Sequence, residues 1–231
     1  MESSQRREIL SACPGLRTFH CDIEVKGSAT GVEEAGPVYL ADLEELNLRR
    51  IKLEHQESIL PLLLVGRKPL SLSIQTTKYS YHEVDYAKDL FSAAIMDFFK
   101  RSNVTARYIW GPSPPGSLLK CLFMDSPASV RILGLETFIL QGIPGLTNLE
   151  QSCITRLDCL NLRSCYIELE SIREFVRACP IRVLKLPANT EEPQILDELV
   201  AIFPVVKYVD SSASIEEWNS GEIWDWDWEL P

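Results

Sequence analysis

The chain has neither a long apolar run nor an excess of positive charge. It does not contain the roughly 18 consecutive apolar residues that a membrane-spanning helix needs. Its first residues, Met1–Glu8, lack the apolar core of a signal peptide, so we expect an intracellular protein, cytoplasmic or nuclear. The net charge is −10 and no lysine or arginine cluster stands out, which argues against nucleic acid and membrane surfaces as partners.

Motifs that carry chemistry are also missing. The seven cysteines are an odd number and include no C-x-x-C pair, so neither a disulfide framework nor a zinc site is predicted. His20, His55 and His82 have no metal-ligand or catalytic-base spacing around them. The segment Gly142–Gly145 contains a proline and lacks the lysine of a phosphate loop. We therefore predict no catalytic residue, no metal and no cofactor. An enzyme would need a deep pocket with perturbed titratable groups.

A leucine-rich spacing is the strongest positive feature. Leu157–Ile167 has the pattern L-x-x-L-x-L-x-x-C-x-I, the spacing of one leucine-rich repeat. The same spacing recurs in Leu43–Leu53 and Val130–Leu140, with apolar residues at all the fitting positions. These matches predict a solenoid of repeated units that binds a partner.

Weaker copies extend the repeats along the chain. Units begin near residues 16, 43, 67, 130, 157, 181 and 205, about 24 to 27 residues apart except for one long interval. A further strand, Thr105–Trp110, is predicted inside that interval, and the excess length falls in an irregular insertion at about residues 75–117. The chain is thus expected to form about seven to eight repeats.

Helical stretches alternate with the predicted strands. Apolar residues recur at three-and-four spacing in Tyr86–Arg101, Glu168–Ala178 and Glu191–Phe203. The predicted fold is an α/β leucine-rich-repeat solenoid, with a curved parallel β-sheet on the concave face and helices on the convex face. A doubly wound sheet needs longer units and does not account for the L-x-x-L-x-L spacing.

Two segments organise the chain. Residues 1–212 are predicted to form the repeat domain, and residues 213–231 form an acidic, tryptophan-rich C-terminal segment. Acids and tryptophans alternate in Trp224–Glu229. This alternation is compatible with an edge strand that caps the solenoid and equally with a mobile acidic tail.

The chain resembles the leucine-rich-repeat region of fungal F-box-type proteins, especially those of mushroom-forming fungi. The resemblance covers nearly the whole chain and depends on Leu43–Arg49, Leu157–Ile167, the helix-Cys-Pro-strand junctions and the acidic tryptophan segment. It implies substrate recognition in an adaptor of a cullin-type ubiquitin ligase. The F-box helix that binds the Skp adaptor in such proteins has no counterpart in Met1–Leu16. The chain is then either a fragment or truncated paralogue, or its repeats act alone.

Residues between the strand leucines are predicted to project from the concave face, where repeats of this kind bind partners. An Asn-Leu-Arg triplet occurs twice, and both copies are expected on this face. The alternative for any single one of these residues is that it is an ordinary polar residue on a solvent-exposed strand and has no role in binding. The candidate partner-binding residues are Glu45, Asn47, Arg49, Glu136, Cys159, Asn161, Arg163 and Lys185. Further positions expected on the same face are Thr18, His20, Asp22, Ile132, Gly134 and Val183.

Roles can be predicted for four of the cysteines. Cys165 occupies the position after the strand where a buried side chain contacts the turning backbone, so a structural role is predicted. Cys13 and Cys179 precede prolines and are predicted to be small buried residues. Cys159 alone is predicted to face outward.

These features predict a non-catalytic protein-interaction module. Its partner is a protein of unknown identity, and the Skp and cullin proteins would join it if an F-box is encoded upstream. The alternative is a stand-alone acidic inhibitor or regulator, which would bind a basic protein by charge complementarity.

Overall fold

An eight-stranded parallel sheet forms the centre of the protein. In this computed structural model the described residues are 3–21, 36–49, 51, 53–75, 93–111, 130–140, 156–188 and 193–210. The large sheet consists of β1 (Thr18–His20), β3 (Glu45–Leu48), β5 (Leu70–Gln75), β6 (Val104–Trp110), β7 (Ile132–Glu136), β9 (Leu157–Arg163), β11 (Ile181–Pro187) and β12 (Val205–Val209), in that spatial order. The strand order follows the chain order.

Four short strands form two separate parallel pairs. They are β2 (Val38–Leu40) with β4 (Leu63–Val65), and β8 (Ile139–Leu140) with β10 (Tyr166–Ile167). Among the described residues the helices are α1 (Ser3–Ser11), α2 (Leu53–Ile59), α3 (Ala93–Arg101), α4 (Leu169–Ala178) and α5 (Pro193–Ile202), and a 3-10 turn spans Leu60–Leu62. Together these elements confirm the prediction of an α/β chain with a mostly parallel sheet.

One face of the large sheet packs on the helices. Leu46, Leu72, Leu133, Leu160 and Leu184 occupy equivalent positions in five strands, and all are buried in one apolar cluster. Side chains of α3, α4 and α5 join the same cluster. We call this side of the sheet the core face. Strand residues alternate between two faces, so the leucine spacing of the sequence selects the residues of this face.

The predicted repeat positions are largely buried. In the unit from Val130 to Leu140 all five predicted apolar residues are buried, and Leu43, Leu46, Leu48 and Ile51 are fully buried in an earlier unit. The strand predicted at Thr105–Trp110 is confirmed as β6. The helix predicted at Glu168–Ala178 is confirmed as α4.

Arg107 breaks the leucine pattern of the core face. It pairs in register with Leu72 and Leu133 and, although its side chain is charged, it is as buried as they are, at 1% exposed. Its guanidinium carbon lies 3.8 Å from the centre of the Phe99 ring on α3, a cation–π contact, and burial lowers its pKa to about 9. The leucine spacing does not mark this arginine as a core residue, although it lies two residues before the buried Ile109 on the same strand.

Polar side chains satisfy the backbone where the strands end. The Gln56 amide on α2 donates to the carbonyl oxygens of Leu48, Ile51 and Gln75, at 3.0 to 3.2 Å. The Cys165 thiol lies 3.3 Å from the carbonyl oxygens of Leu135 and Arg163 and donates a hydrogen bond there. These two hydrogen bonds are the predicted contact of Cys165 with the turning backbone. Burial raises the pKa of the thiol to about 12.

Cys179 and Cys13, both predicted to be small buried residues, differ in burial. Cys179 is 1% exposed and lies in the apolar cluster, which confirms its prediction. The prediction for Cys13 was wrong, because this residue is exposed. It follows α1, in which only Leu10 is buried among the side chains described there, so the end of the helix stays at the surface.

Several predictions fall outside the described residues. These are Asp22, residues 76–92 and 112–117 of the insertion, the first part of the helix predicted from Tyr86, and the tryptophan-rich segment from residue 213. Within the described part of the chain, no helix combines the length and apolar character needed to cross a membrane.

Candidate functional site on the opposite face of the sheet

The second face of the large sheet, which we call the opposite face, carries the residues between the strand leucines. On β9, Cys159 and Asn161 are buried outside the apolar cluster that holds Leu160 and Leu162. Strand register places equivalent residues side by side. One row of this face runs His20, Asn47, Ser73, Tyr108, Gly134, Asn161, Lys185 and Lys207. The next row includes Gln75, Trp110, Glu136 and Arg163.

Glu136 binds the arginines of both Asn-Leu-Arg triplets. Arg49 Nη2 donates to Glu136 Oε2 in a close ion pair. On the other side, Arg163 Nε lies 4.0 Å from Glu136 Oε1. The three side chains are 13%, 21% and 23% exposed for Arg49, Glu136 and Arg163, so the cluster is partly shielded and still reachable from solvent. The structure thus brings together three of the predicted site residues from β7, β9 and the end of β3.

Trp110 completes this group, which we call the arginine cluster: Arg49, Trp110, Glu136 and Arg163. The guanidinium carbon of Arg49 lies 5.6 Å from the centre of the Trp110 ring. Trp110 neighbours Glu136 in register, so the ring supports the arginine that crosses toward the carboxylate. The Asn47 side chain also helps, because its Oδ1 accepts a hydrogen bond from the Arg49 backbone N–H at 3.2 Å.

A second group of predicted residues, Cys159, Asn161 and Lys185, lies toward the β12 edge of the face. The Cys159 thiol donates to Asn161 Oδ1 at 3.4 Å, and Lys185 pairs with Asn161 in register. All three are at most 3% exposed. Cys159 was predicted to face outward, and it does lie on this face, but it is buried and burial raises its pKa to about 11. The expectation of an accessible side chain was wrong there.

Tyr108 fills the gap left by Gly134. Its ring occupies the space where a Cβ of Gly134 would be, so the two residues pack directly across neighbouring strands. Burial raises the pKa of the Tyr108 hydroxyl, and the nearby Cys159 and Glu45 raise it further. The phenol therefore stays neutral, and its ring packs at Gly134.

Glu45, the remaining predicted residue, lies toward the β1 edge. Its Oε1 is 2.9 Å from Nε2 of His20 on the neighbouring strand. Both side chains are more than one third exposed, so this contact is a surface pair of small energetic weight. It does not join the arginine cluster.

Charge on the described part of the opposite face differs from the net charge of the chain. This part of the face carries four basic and two acidic residues. The basic residues are Arg49, Arg163, Lys185 and Lys207, and the acidic ones are Glu45 and Glu136. The whole chain carries −10. Lys207, Tyr108 and Trp110 were not among the predicted site residues. The alternation of Tyr108 and Trp110 with Ile109 in the predicted strand is the signal from which they could have been assigned to this face.

These groups can donate hydrogen bonds, pair with charges and stack on rings, as residues of a binding surface do. Among the residues that the structure describes, no group of three or more histidine, cysteine or acidic side chains is arranged to hold a metal ion. No protein-family model matches the chain, and neither curated proteins nor solved structures give a match.

Proposed function

We propose that this protein is a non-catalytic protein-interaction module of the leucine-rich-repeat type, and that it binds its partner with the opposite face of the sheet. The observation that carries the proposal is the arginine cluster. Its four members come from distant parts of the chain and meet on one partly exposed surface. Arginine and tryptophan are the residue types that dominate binding energy in protein interfaces.

The repeat architecture supports this assignment. The strands lie in chain order in one parallel sheet, and the leucines at the L-x-x-L-x-L positions are buried against the helices. Cys165 donates to two carbonyl oxygens at the turn, the contact that a leucine-rich repeat makes at this position. Solenoids of this kind present their strand faces as extended binding surfaces.

The ligase version of the function is supported by the resemblance to the repeat region of fungal F-box-type proteins. In that version the opposite face would recognise the substrate, while an F-box encoded upstream would bind Skp. Affinity purification of the full-length gene product tests it. Recovery of Skp and a cullin supports the adaptor role, and their absence from a product that includes all upstream exons contradicts it.

A regulator of a basic protein is the second candidate, and the net charge of −10 favours it. This candidate would use acidic surfaces away from the arginine cluster. Binding to a strongly basic partner would weaken steeply with salt. Salt-insensitive binding would count against this candidate.

The main proposal is tested by comparing two charge reversals at arginine. Arg163→Glu places a second carboxylate beside Glu136 in the cluster. Arg17→Glu is the matched control, because Arg17 forms an exposed ion pair with Glu44 before β1. Tagged wild-type and variant chains would be cross-linked in cells and the recovered proteins quantified, after thermal melts have shown that each chain is folded.

We expect the partners of the wild-type chain to be depleted at least tenfold with Arg163→Glu and retained with Arg17→Glu. Equal recovery with all three chains would mean that the arginine cluster takes no part in binding, and the proposal would be wrong.

A further inference from the structure

The large sheet ends at β12, and no described strand lies beyond it. The Val209 carbonyl oxygen accepts a hydrogen bond from the Ala188 N–H at 2.8 Å, so the backbone groups of Val209 point toward β11. Backbone direction alternates along a strand, so the N–H and C=O groups of Val206 and Tyr208 point outward. Outward-pointing groups on the last strand of a sheet are a template for one more strand.

Apolar side chains at this end of the sheet are exposed. Tyr208 and Val205 on β12 are 48% and 38% exposed, and Val200 on α5 is 57% exposed. The end unit of a repeat protein normally has a polar outer face, because no further unit covers it. Exposed apolar residues in α5 and β12 therefore favour a covering segment at this end.

The two sides of β12 differ in polarity. Tyr208 pairs in register with Leu186, which is buried in the apolar cluster. Val206 also packs against that cluster, so both residues lie on the core face. Lys207, between them, lies on the opposite face. A strand added at this edge fits best if apolar residues alternate with polar ones along it.

The C-terminal segment of the chain has this pattern. It lies outside the described residues, and its sequence alternates tryptophan with an acid from Trp224 to Glu229. A period of two is that of a strand, with the tryptophans on one side and the acids on the other. No proline or glycine interrupts residues 222–230.

The segment is also long enough to reach the edge. Residues 210–223 connect β12 to Trp224, and a chain of this length spans up to about 46 Å when extended. The strand Val205–Val209 is only about 17 Å long, so the segment can run along it in either direction. Attachment to the same chain gives an effective concentration on the order of millimolar.

We propose that residues 224–228 pair with the outer edge of β12 and add a strand to the large sheet. The tryptophans then lie on the side of Tyr208 and cover it, while the acids lie on the other side. A second copy of the chain is the weaker candidate, because each copy carries −10 and the copies repel. The proposal does not depend on the partner of the opposite face.

Hydrogen exchange in the unmodified, ¹⁵N-labelled chain tests whether the edge is paired. The outward N–H groups of Val206 and Tyr208 are compared with the N–H of Lys207, which points toward β11. We expect all three to be protected, with rates within about tenfold of one another. Outward groups that exchange about a hundredfold faster than Lys207, or as fast as in an unfolded chain, would overturn the proposal. The edge would then be open to a segment of another protein.

A swap of two neighbouring residues identifies the occupant. Asp225→Trp together with Trp226→Asp keeps the composition and the net charge and breaks the alternation. Asp225→Glu together with Asp227→Glu is the matched control, because it keeps the alternation. We expect the swap to speed exchange of the outward N–H groups about tenfold or more and to leave Lys207 unchanged. The control should leave all three rates unchanged.

Protection that survives the swap would overturn the assignment to residues 224–228. If that protection rises with protein concentration and sedimentation shows a dimer, the occupant is a second copy. Tryptophan fluorescence gives a second readout, because four of the five tryptophans lie in the last fourteen residues. The swap should move the emission to longer wavelength and increase quenching by acrylamide. Unchanged emission and quenching would contradict the covering role of the tryptophans.

Discussion

The ring of Tyr108 occupies the space above Gly134 on the neighbouring strand of the sheet. A Cβ built at residue 134 would lie 2.9 Å from Cε1 of Tyr108 and closer still to Cδ1. The Tyr108 ring on β6 can therefore pack in this position only because residue 134 on β7 has no side chain. An aromatic ring that covers a cross-strand glycine is a known way to stabilise such a pair.

Gly134→Ala should destabilise the protein by about 1–3 kcal/mol, because the added methyl group displaces the Tyr108 ring. In the Tyr108→Ala background the same substitution should cost close to nothing, since the obstructing ring is gone. Urea denaturation of the four chains measures both effects. An equal cost in both backgrounds would show that the ring is not the cause.

Gly66 provides the contrast. A Cβ there would meet backbone atoms of Ala41, with Cα and the carbonyl carbon both 3.0 Å away, and no side-chain truncation can make room. Gly66→Ala should therefore be destabilising in every background, and a neutral effect would show that the backbone of β2 and β4 adapts easily.

Sequence periodicity was sufficient to predict the strands of the large sheet and most of the core face, but not the short strands β2, β4, β8 and β10. Leu46, Leu160 and their equivalents are buried because apolar residues at a fixed spacing specify one face of a strand. The same spacing predicted that both Asn-Leu-Arg triplets, Asn47–Arg49 and Asn161–Arg163, lie on one surface.

The partners within that surface could not be predicted. Arg49 reaches Glu136 across intervening strands, and this contact depends on three-dimensional distance that spacing does not contain. Burial was also missed at Cys159 and Lys185, because an alternating pattern gives the face of a residue but not what covers it. Arg107 was missed because its position in the core is set by the Phe99 ring.

Two residues after the strands adopt a backbone conformation that favours glycine. Thr137, after β7, has φ 63°, and Ser164, after β9, has φ 51°. The left-handed region costs a side-chain-bearing residue about 1–2 kcal/mol, more than the entropy that glycine loses on folding. Thr137→Gly and Ser164→Gly should each raise stability by about 0.5–1 kcal/mol.

Thr105→Gly is the matched control for the threonine, since Thr105 lies inside β6 without a positive φ. It should lower stability by about 0.5–1 kcal/mol. Thermal melts of the three variants compare the signs. Destabilisation by both turn substitutions would indicate that side-chain bonds, such as that from Thr137 Oγ1 to the Glu136 carbonyl oxygen, outweigh the strain.

Burial of the Cys159 thiol should make stability depend on alkaline pH. Its pKa is raised from 9.0 to about 11, chiefly by burial. Between these values the unfolded chain releases the proton and the folded chain retains it, so the stabilisation present below pH 9 is lost as pH rises. The slope for one thiol is at most about 1.4 kcal/mol per pH unit.

Cys159→Ser removes this titration and provides the measurement. The serine variant should be less stable than the wild type at pH 8, and the difference should shrink by about 1–2 kcal/mol by pH 10.5. Other alkaline groups titrate in both chains and cancel in the difference. A gap that stays constant with pH would show that the thiol ionises alike in both states.

The ion pair between Arg49 and Glu136 should contribute more to stability than the exposed pair between Arg17 and Glu44. The side chains of the first pair are 13% and 21% exposed, against 69% and 36% in the second. Water screens the exposed pair, for which about 0.2–1 kcal/mol is typical. Partial burial strengthens the first pair, and we expect a coupling energy of about 1–3 kcal/mol.

Double-mutant cycles to alanine at both pairs measure the two coupling energies from urea denaturation. Glu136→Ala alone should be the most destabilising of the single changes, because it leaves Arg49 and Arg163 facing each other without the carboxylate between them. Adding Arg49→Ala should then restore part of the lost stability. Equal coupling energies for the two pairs would mean that the arginine cluster is as well solvated as the edge of the sheet, and its contacts would then contribute little to a rigid binding surface.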